Sequence, residues 1–101
     1  MKPTALVVEL TLERACRERF LEVAKQHAER SVRLEPGCIS FQVVATEDDT
    51  DRVVLVEIYR SRAALQQHWD SVHMAQFRER TEHWVRDRKR HLGDLEIDCT
   101  S

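Results

Sequence analysis

The order of predicted elements in this chain indicates an α+β fold, in which one antiparallel sheet carries helices on one face. Four short strand-like runs alternate with two longer stretches whose apolar residues recur at helical spacing. Their order, strand–helix–strand–strand–helix–strand, is that of the ferredoxin-like βαββαβ fold. A length of 101 residues without internal repeats or linker-like segments suggests that residues 1–101 form a single domain.

The first part of the pattern is a strand followed by a long helix. ALVVELTL, residues 5–12, has the length and β-branched content of a strand. In residues 13–35 the apolar side chains recur every three or four positions, as on an amphipathic helix. EPG, residues 35–37, is expected to end that helix, because a residue before proline avoids helical geometry and glycine permits a positive φ.

A β-hairpin is predicted next. CISFQVVAT, residues 38–46, and RVVLVEIYR, residues 52–60, are strand-like runs, and the Asp-rich stretch EDDTD between them is typical of a turn. The second strand is apolar on both faces, since Val54, Val56 and Ile58 point one way and mostly apolar neighbours point the other. The helices of the chain can cover one face, so we expect a homodimer that forms through the other sheet face.

The last third of the chain is predicted to hold a broken helix and a closing strand. Ser61 is a suitable N-cap for a helix over residues 62–69. The Asp70–Ser71 pair favours caps and turns, so we expect a break there before the helix continues over residues 72–90. LGDLEIDCT, residues 92–100, is expected to be the last strand.

Composition narrows the classes of function. The formal net charge is −2, which argues against general nucleic-acid binding, and the basic run RDRKR at residues 86–90 is interpreted as a solvated helix end. No run approaches the roughly 20 apolar residues that cross a bilayer. Neither a secretion signal nor a disulfide framework is visible around the three cysteines. We therefore expect a cytoplasmic protein with reduced thiols and no membrane partner.

Two polar pairs interrupt apolar patterns. Glu57 is the one charged residue in VVLVEIY, where it is either a pocket group or a structural or strand-edge carboxylate. Tyr59 shares its face and brings a hydroxyl group. His27 and Ser31, spaced by four, continue the stripe of the first helix either as a pocket edge or as the point where the stripe reaches the surface.

His68 and His73 stand close together in QQHWDSVH. On an unbroken helix the two side chains would point about 140° apart, whereas a break at Asp70–Ser71 would let both face one pocket. We expect His73 to face inward and His68 to do so with it. His83 and His91 have no other candidate site residue near them in the sequence, and both are expected to be solvated.

Motifs for metal, phosphate or serine chemistry are missing from the sequence. There is no HExxH and no paired CxxC motif, so no metal is expected, although three histidines and Glu57 meeting in space would be an alternative. Gly37 and Gly93 are too few for a phosphate-cradling loop. No serine stands on a glycine-flanked elbow.

Three stretches follow one another in a familiar order: HAERSVRLEPGCISFQV at residues 27–43, RVVLVEIYRSRAALQQH at 52–68, and SVHMAQF at 71–77. Together they resemble the antibiotic biosynthesis monooxygenase family of the dimeric α+β barrel superfamily, over about residues 5–85. The likeness is closest to the branch that contains the autoinducer-2-degrading protein and small quinol monooxygenases.

The resemblance implies a dimer whose sheets close into a barrel, with a pocket between sheet and helices in each subunit. It also implies catalysis without metal, haem or flavin, with a small molecule and O2 as the partners. His27 agrees with the autoinducer-2 branch, where much of the family has asparagine. Carried over residue by residue, the catalytic group is His73, His68 and Glu57, and the substrate-binding group is His27, Ser31, Phe41, Tyr59 and Phe77.

The predicted activity is cofactor-independent monooxygenation of small quinol-like or polyketide-type aromatic compounds. A deprotonated phenol or enol can give an electron to O2, which requires an apolar pocket and a base that titrates near neutral pH. His73 or His68 would be that base, and Glu57 would orient it. Three alternatives stay open: oxygen-independent isomerisation or cleavage of a small carbonyl compound, haem binding or degradation, and a dimeric binding module without catalysis.

Overall fold

In the computed structural model, which describes residues 2–101, strands and helices follow one another in the predicted order. The elements are β1 (Thr4–Leu12), α1 (Arg17–Leu34), β2 (Cys38–Ala45), β3 (Arg52–Tyr59), α2 (Arg62–Trp69), α3 (Val72–Thr81), a 3-10 turn (Glu82–Trp84) and β4 (Val85–Asp94). The strands pair antiparallel in the order β2-β3-β1-β4. This arrangement confirms the ferredoxin-like βαββαβ prediction.

The core lies between the sheet and the helices. Along β1 every second side chain is buried, because successive side chains of a strand point to opposite faces. On α1 the buried positions recur at helical spacing instead, from Phe20 to Ser31. Both patterns therefore direct one apolar face inward, and the side chains of β1, β3 and α1 meet there.

The start of α1 differs from the prediction. The helix begins at Arg17 rather than at residue 13, because the backbone just before it forms a turn. Ala15 has a positive φ of 64°, which a right-handed helix does not allow. The amide of Glu13 is also committed, since it donates to the carbonyl of Trp84 at 2.7 Å.

The end of the chain differs most from the prediction. The helix expected through residue 90 ends at Thr81, and RDRKR lies in β4 instead of at a helix end. The closing strand is accordingly Val85–Asp94, not residues 92–100. β4 pairs with β1 through its backbone while most of its own side chains are exposed, so no apolar alternation marks it as a strand.

The predicted break between the two later helices is confirmed. The Ser61 hydroxyl accepts a hydrogen bond from the amide of Ala64 at 3.0 Å and caps α2. The Ser71 hydroxyl accepts from the amide of Met74 at 3.2 Å and donates to the carbonyl of His68 at 2.6 Å. Ser71 thus ends one helix and starts the next, as expected of a short hydroxylated side chain.

Gly37 is required by space and not by a positive φ. The described chain has no glycine with positive φ, so the freedom that Gly37 offers is not used, although α1 does end at EPG as expected. A Cβ atom at this position would lie 2.5 Å from the Cβ of Ala64. The turn after α1 therefore packs directly against α2.

The second face of the sheet is not covered by the helices of the described chain. Val54, Val56 and Ile58 lie on it and are partly exposed, and Val44 of the neighbouring strand is 44% exposed. A homodimer through this face stays a prediction. In residues 2–101 no helix combines the length and the apolar character needed to cross a membrane.

Candidate active site

A cavity lies between the sheet and the helices. Its cavity volume is about 50 Å³, and the atom-free space reaches about 560 Å³ when the part open to solvent is included. Its walls are largely apolar and aromatic, with Phe41, Trp69 and Phe77 among them. The polar groups that reach it are His27, Glu57, His68, Thr81, Arg78, Arg88 and Arg90.

The carboxylate of Glu35 joins the two central histidines. His68 Nδ1 lies 2.8 Å from Glu35 Oε2, and His73 Nε2 contacts the same oxygen. The two rings lie 5.9 Å apart, centroid to centroid. The helix break at Ser71 therefore lets both histidines converge, but on a carboxylate from the end of α1. Of the two, His68 lines the cavity and His73 does not, so the expectation that both face one pocket holds for His68 alone.

Local sequence explains how these groups meet. Pro36 follows Glu35 directly, and α1 ends at that point, which leaves the Glu35 side chain at the helix end. The close contact between Gly37 and Ala64 then brings the first turn of α2 against the same segment. His68 stands one helical turn further along α2 and reaches Glu35 from there.

His68 is arranged as a neutral base. Its side chain is buried, and burial lowers its pKa from the ordinary value, while Glu35 acts in the opposite direction. Because the carboxylate can only accept, Nδ1 is the nitrogen that carries the proton. The ring lines the cavity with Nδ1 engaged, so Nε2 is the nitrogen left to take a proton from a bound molecule.

Glu57 forms a second polar centre in the cavity wall. The Tyr59 hydroxyl donates to Glu57 Oε1 at 2.6 Å. Burial raises the pKa of Glu57 to about 7, against the hydrogen bond from Tyr59, which lowers it. The pKa of Tyr59 is raised far above its ordinary value, chiefly by burial, so its hydroxyl stays protonated and keeps donating.

His27 belongs to the aromatic part of the wall. It stacks on Phe77 with ring centroids 4.1 Å apart and meets Phe41 edge-on at 5.4 Å. Burial, and then the positive charge that His68 and His73 would carry, lower its pKa to about 3. His27 is therefore a neutral, flat wall at physiological pH.

The structure separates the predicted site residues into two groups. His27, Phe41, Glu57, His68 and Phe77 line the cavity. Ser31, Tyr59 and His73 do not line it: the Ser31 hydroxyl donates to the carbonyl of His27 at 2.8 Å, Tyr59 donates to Glu57, and His73 lines a separate groove.

The expected orienting role of Glu57 does not fit the observed contacts. Within residues 2–101, Glu57 hydrogen-bonds Tyr59 and no histidine. Sequence reasoning missed Glu35, although the i, i+4 series of His27 and Ser31 continues to it. That series was the available signal.

The same cluster has the donor types of a metal site. The ligand atoms of Glu35, His68 and His73 lie within 4.8 Å of one another. Glu35 Oε1 is buried and has no hydrogen-bond partner within residues 2–101. Imidazole nitrogen and carboxylate oxygen suit divalent first-row metals, so this cluster is where such an ion would bind.

The remaining histidines and cysteines stand apart from this site. His91 is exposed, as expected of a solvated histidine, but it also has a partner. Its Nε2 lies 2.7 Å from Glu9 Oε2 at the sheet surface. Cys16, Cys38 and Cys99 are free. Burial raises the pKa of the Cys38 thiol to about 12, so this cysteine is a packing residue and not a nucleophile.

Fold and site together define a ferredoxin-like domain with an aromatic cavity and an internal histidine–carboxylate pair. The family model described as antibiotic biosynthesis monooxygenase matches residues 3–80. The chain belongs to the antibiotic biosynthesis monooxygenase family, in agreement with the resemblance found in its sequence.

Solved structures and one curated protein are similar to this chain. A protein from Nitrosomonas europaea, named as a candidate antibiotic biosynthesis monooxygenase, has 26% identity and a TM-score of 0.89, covering 94% of this chain and 91% of that chain. Rv0793 from Mycobacterium tuberculosis shares the fold, with 23% identity and a TM-score of 0.84. The match covers 97% of this chain and 99% of that chain. The uncharacterized protein sll1783 from Synechocystis is 32% identical over 65 residues, which are 64% of this chain and 44% of that protein. The chain thus spans less than half the length of this curated relative.

Proposed function

We propose that this protein is a monooxygenase that oxidises small electron-rich aromatic compounds, of the quinol or polyketide type, without a bound cofactor. The observation that carries the proposal is the His68–Glu35 pair at the wall of an aromatic cavity. Membership of the family and the name of the Nitrosomonas europaea protein support the monooxygenase class.

The first step is removal of a proton from the substrate. A phenolic hydroxyl lies against His68, and Nε2 takes its proton while Nδ1 keeps donating to Glu35. The carboxylate stabilises the imidazolium that forms, as a buried carboxylate does in other histidine-dependent sites. The product is an electron-rich phenolate that lies against the aromatic wall to which His27 and Phe41 contribute.

The second step is reaction of this phenolate with O2. The phenolate passes one electron to O2, the resulting radical pair combines at a ring carbon that carries hydrogen, and a ring hydroperoxide forms. Its O–O bond then breaks as that carbon loses its proton. One oxygen atom stays on the ring as a carbonyl, and the other leaves as water. The substrate supplies all four electrons, so no external reductant is needed.

The other site residues have supporting roles in this proposal. His73 contacts the same oxygen of Glu35 and holds the carboxylate towards His68, so it acts as a positioning residue. Glu57, with a pKa raised to about 7, is a second group able to return a proton. Ser31 fixes the α1 backbone at His27.

A second candidate is oxygen-independent isomerisation or cleavage of a small carbonyl compound. The observation that favours it is the presence of two acid–base groups, His68 and Glu57, on one cavity. Moving a proton from one carbon to the next needs one group that removes it and one that returns it. The autoinducer-2 branch of the family would fit this chemistry.

Haem binding stays a prediction of the resemblance. A haem titration tests it, because binding by a histidine would shift the Soret band.

Oxygen uptake tests the proposal. Metal-stripped protein is given quinols and hydroxynaphthalenes, with labelled O2 and detection of the product by mass spectrometry. The proposal predicts uptake well above the protein-free rate, with one labelled atom in each product molecule. Substrate turnover without O2 would instead establish the isomerase or lyase, and no turnover of any kind would leave a binding module.

A further inference from the structure

Three arginines share the cavity with the acid–base groups. Arg88 and Arg90 come from β4, and Arg78 comes from α3. In the sheet register Arg90 is paired with Val8 and Arg88 with Leu10, both buried residues of the inner face of β1. Directly paired residues of antiparallel strands share a face, so the two β4 arginines point to the helix side of the sheet.

Among the described residues these arginines form no ion pair, although the charge of Arg90 reaches Glu57 and lowers the pKa of that carboxyl. Within residues 2–101, no carboxylate oxygen lies within ion-pair distance of the Arg78, Arg88 or Arg90 guanidiniums. Burial and the two neighbouring positive charges lower the pKa of Arg88. Cationic groups that crowd one another at a cavity wall gain when an anion binds between them.

The sheet register also gives the distance between Glu57 and the two β4 arginines along the sheet. Glu57 is paired with Leu6 of β1. Arg90 and Arg88 are paired with Val8 and Leu10, which lie two and four residues further along the same strand. At a rise of about 3.3 Å per residue, the arginines lie roughly 7 and 13 Å along the sheet from the level of Glu57. The β4 arginines are thus offset along the sheet from the acid–base groups, within the same cavity.

We propose that the arginines Arg78, Arg88 and Arg90 bind an anionic group of the substrate, a carboxylate or a phosphate. The ligand is therefore an aromatic anion whose ring lies against Phe77 and whose charged group lies at β4. Guanidinium groups suit this task because their paired N–H donors match the oxygens of carboxylate and phosphate. The inference deepens the proposed function and rests on it for the identity of the site.

Lys89 provides a matched control within the same strand. It is paired with Glu9 and therefore points to the opposite sheet face, between two arginines in sequence. Its replacement by glutamine changes the net charge by the same amount as Arg88→Gln or Arg90→Gln. A general loss of positive charge would affect all three variants, whereas an anion site would affect only the arginine variants.

Calorimetric binding of unreactive ligands tests the inference without turnover. The ligands are 1-naphthoate, 1-naphthyl phosphate and the neutral 1-naphthalenemethanol. We expect the wild type to bind at least one anion about tenfold or more tightly than the neutral ligand, in line with charge-assisted hydrogen bonds. Arg88→Gln and Arg90→Gln should lose this preference and Lys89→Gln should keep it. The tighter of the two anions identifies the group that the arginines bind.

Equal binding of neutral and anionic ligands, or an equal loss in Lys89→Gln, would overturn the inference. The outcome is separable from that of the proposed function. Anion preference without oxygen uptake would refute only the monooxygenase. Oxygen uptake with neutral quinols, combined with no anion preference, would refute only the arginine site.

Discussion

His68 Nδ1 lies 2.8 Å from Glu35 Oε2, although the two residues are 33 positions apart in the chain. The contact joins the end of the first helix to the last turn of the second. It sets the tautomer of the imidazole and leaves Nε2 for a bound molecule. The proposed chemistry depends on this pair, and the substitution Glu35→Gln changes it directly.

Glu35→Gln should lower kcat by about 10²-fold, because the imidazolium formed in the reaction loses its carboxylate partner. Glu35 raises the pKa of His68 against the effect of burial, so the variant should also have a lower His68 pKa. The acidic limb of the pH–rate profile should then move to lower pH. Steady-state rates across pH measure both effects.

Glu29→Gln is the control for this variant, since Glu29 is exposed on the same helix. It should leave the rate and the pH profile unchanged. A Glu35→Gln protein with the wild-type profile would show that the carboxylate does not act on the base.

Glu57 should make the protein less stable as the pH rises. Its pKa is raised from 4.5 to about 7, so between these values the folded state keeps a proton that the unfolded state has lost. The free energy of unfolding should therefore fall through this window, by at most about 3 kcal/mol for this group. Glu57→Gln removes the titration and keeps an acceptor for Tyr59.

Urea unfolding at about pH 4 and about pH 8 measures this contribution. Glu57→Gln should gain stability relative to wild type at the higher pH, and the exposed control Glu79→Gln should not. A pH dependence that is the same in wild type and Glu57→Gln would mean that Glu57 titrates at its ordinary value.

Metal removal should leave the reaction intact. If Glu35, His68 and His73 work as an acid–base cluster, EDTA-treated protein keeps its full rate. Added Zn²⁺ should inhibit, because these residues have the donor types and spacing to bind it and His68 would then lose its role as a base. Oxygen uptake with and without chelator measures this. Activity that is lost on stripping and restored by one equivalent of metal would contradict the account.

The uncovered sheet face should carry the dimer interface. Val56→Lys places a charge among partly exposed apolar residues of that face, which should weaken dimerisation by about tenfold or more. Light scattering after size-exclusion chromatography measures the change. Val72→Lys, at a position that is 74% exposed on α3, is the control and should stay dimeric. A monomeric wild type would contradict the prediction.

Local signals were sufficient for most of the fold. The break between α2 and α3 follows from the capping chemistry of Ser71, which acts on neighbouring residues alone. Glu57 and Tyr59 share a face because a strand alternates. β4 was predicted in the wrong place because its partner is the backbone of β1, and its charged side chains carry no apolar pattern.

The site was less predictable, because its central contact depends on tertiary structure. Glu35 was interpreted only as part of a helix end, since a position before Pro36 already has a local explanation. The arginines of β4 were interpreted as a solvated run for the same reason. In both cases the position depends on tertiary structure: Glu35 meets His68 when α1 and α2 pack together, and the arginines reach the cavity when β4 pairs with β1.

The most direct test of the central claim is kcat of His68→Asn for oxygen uptake, beside His83→Asn as an exposed-histidine control. Asparagine keeps an N–H that can donate to Glu35 but has no basic nitrogen to face the cavity. We expect a loss of about 10² to 10⁴-fold in His68→Asn and none in His83→Asn. A His68→Asn protein that keeps the wild-type kcat would show that His68 is not the base.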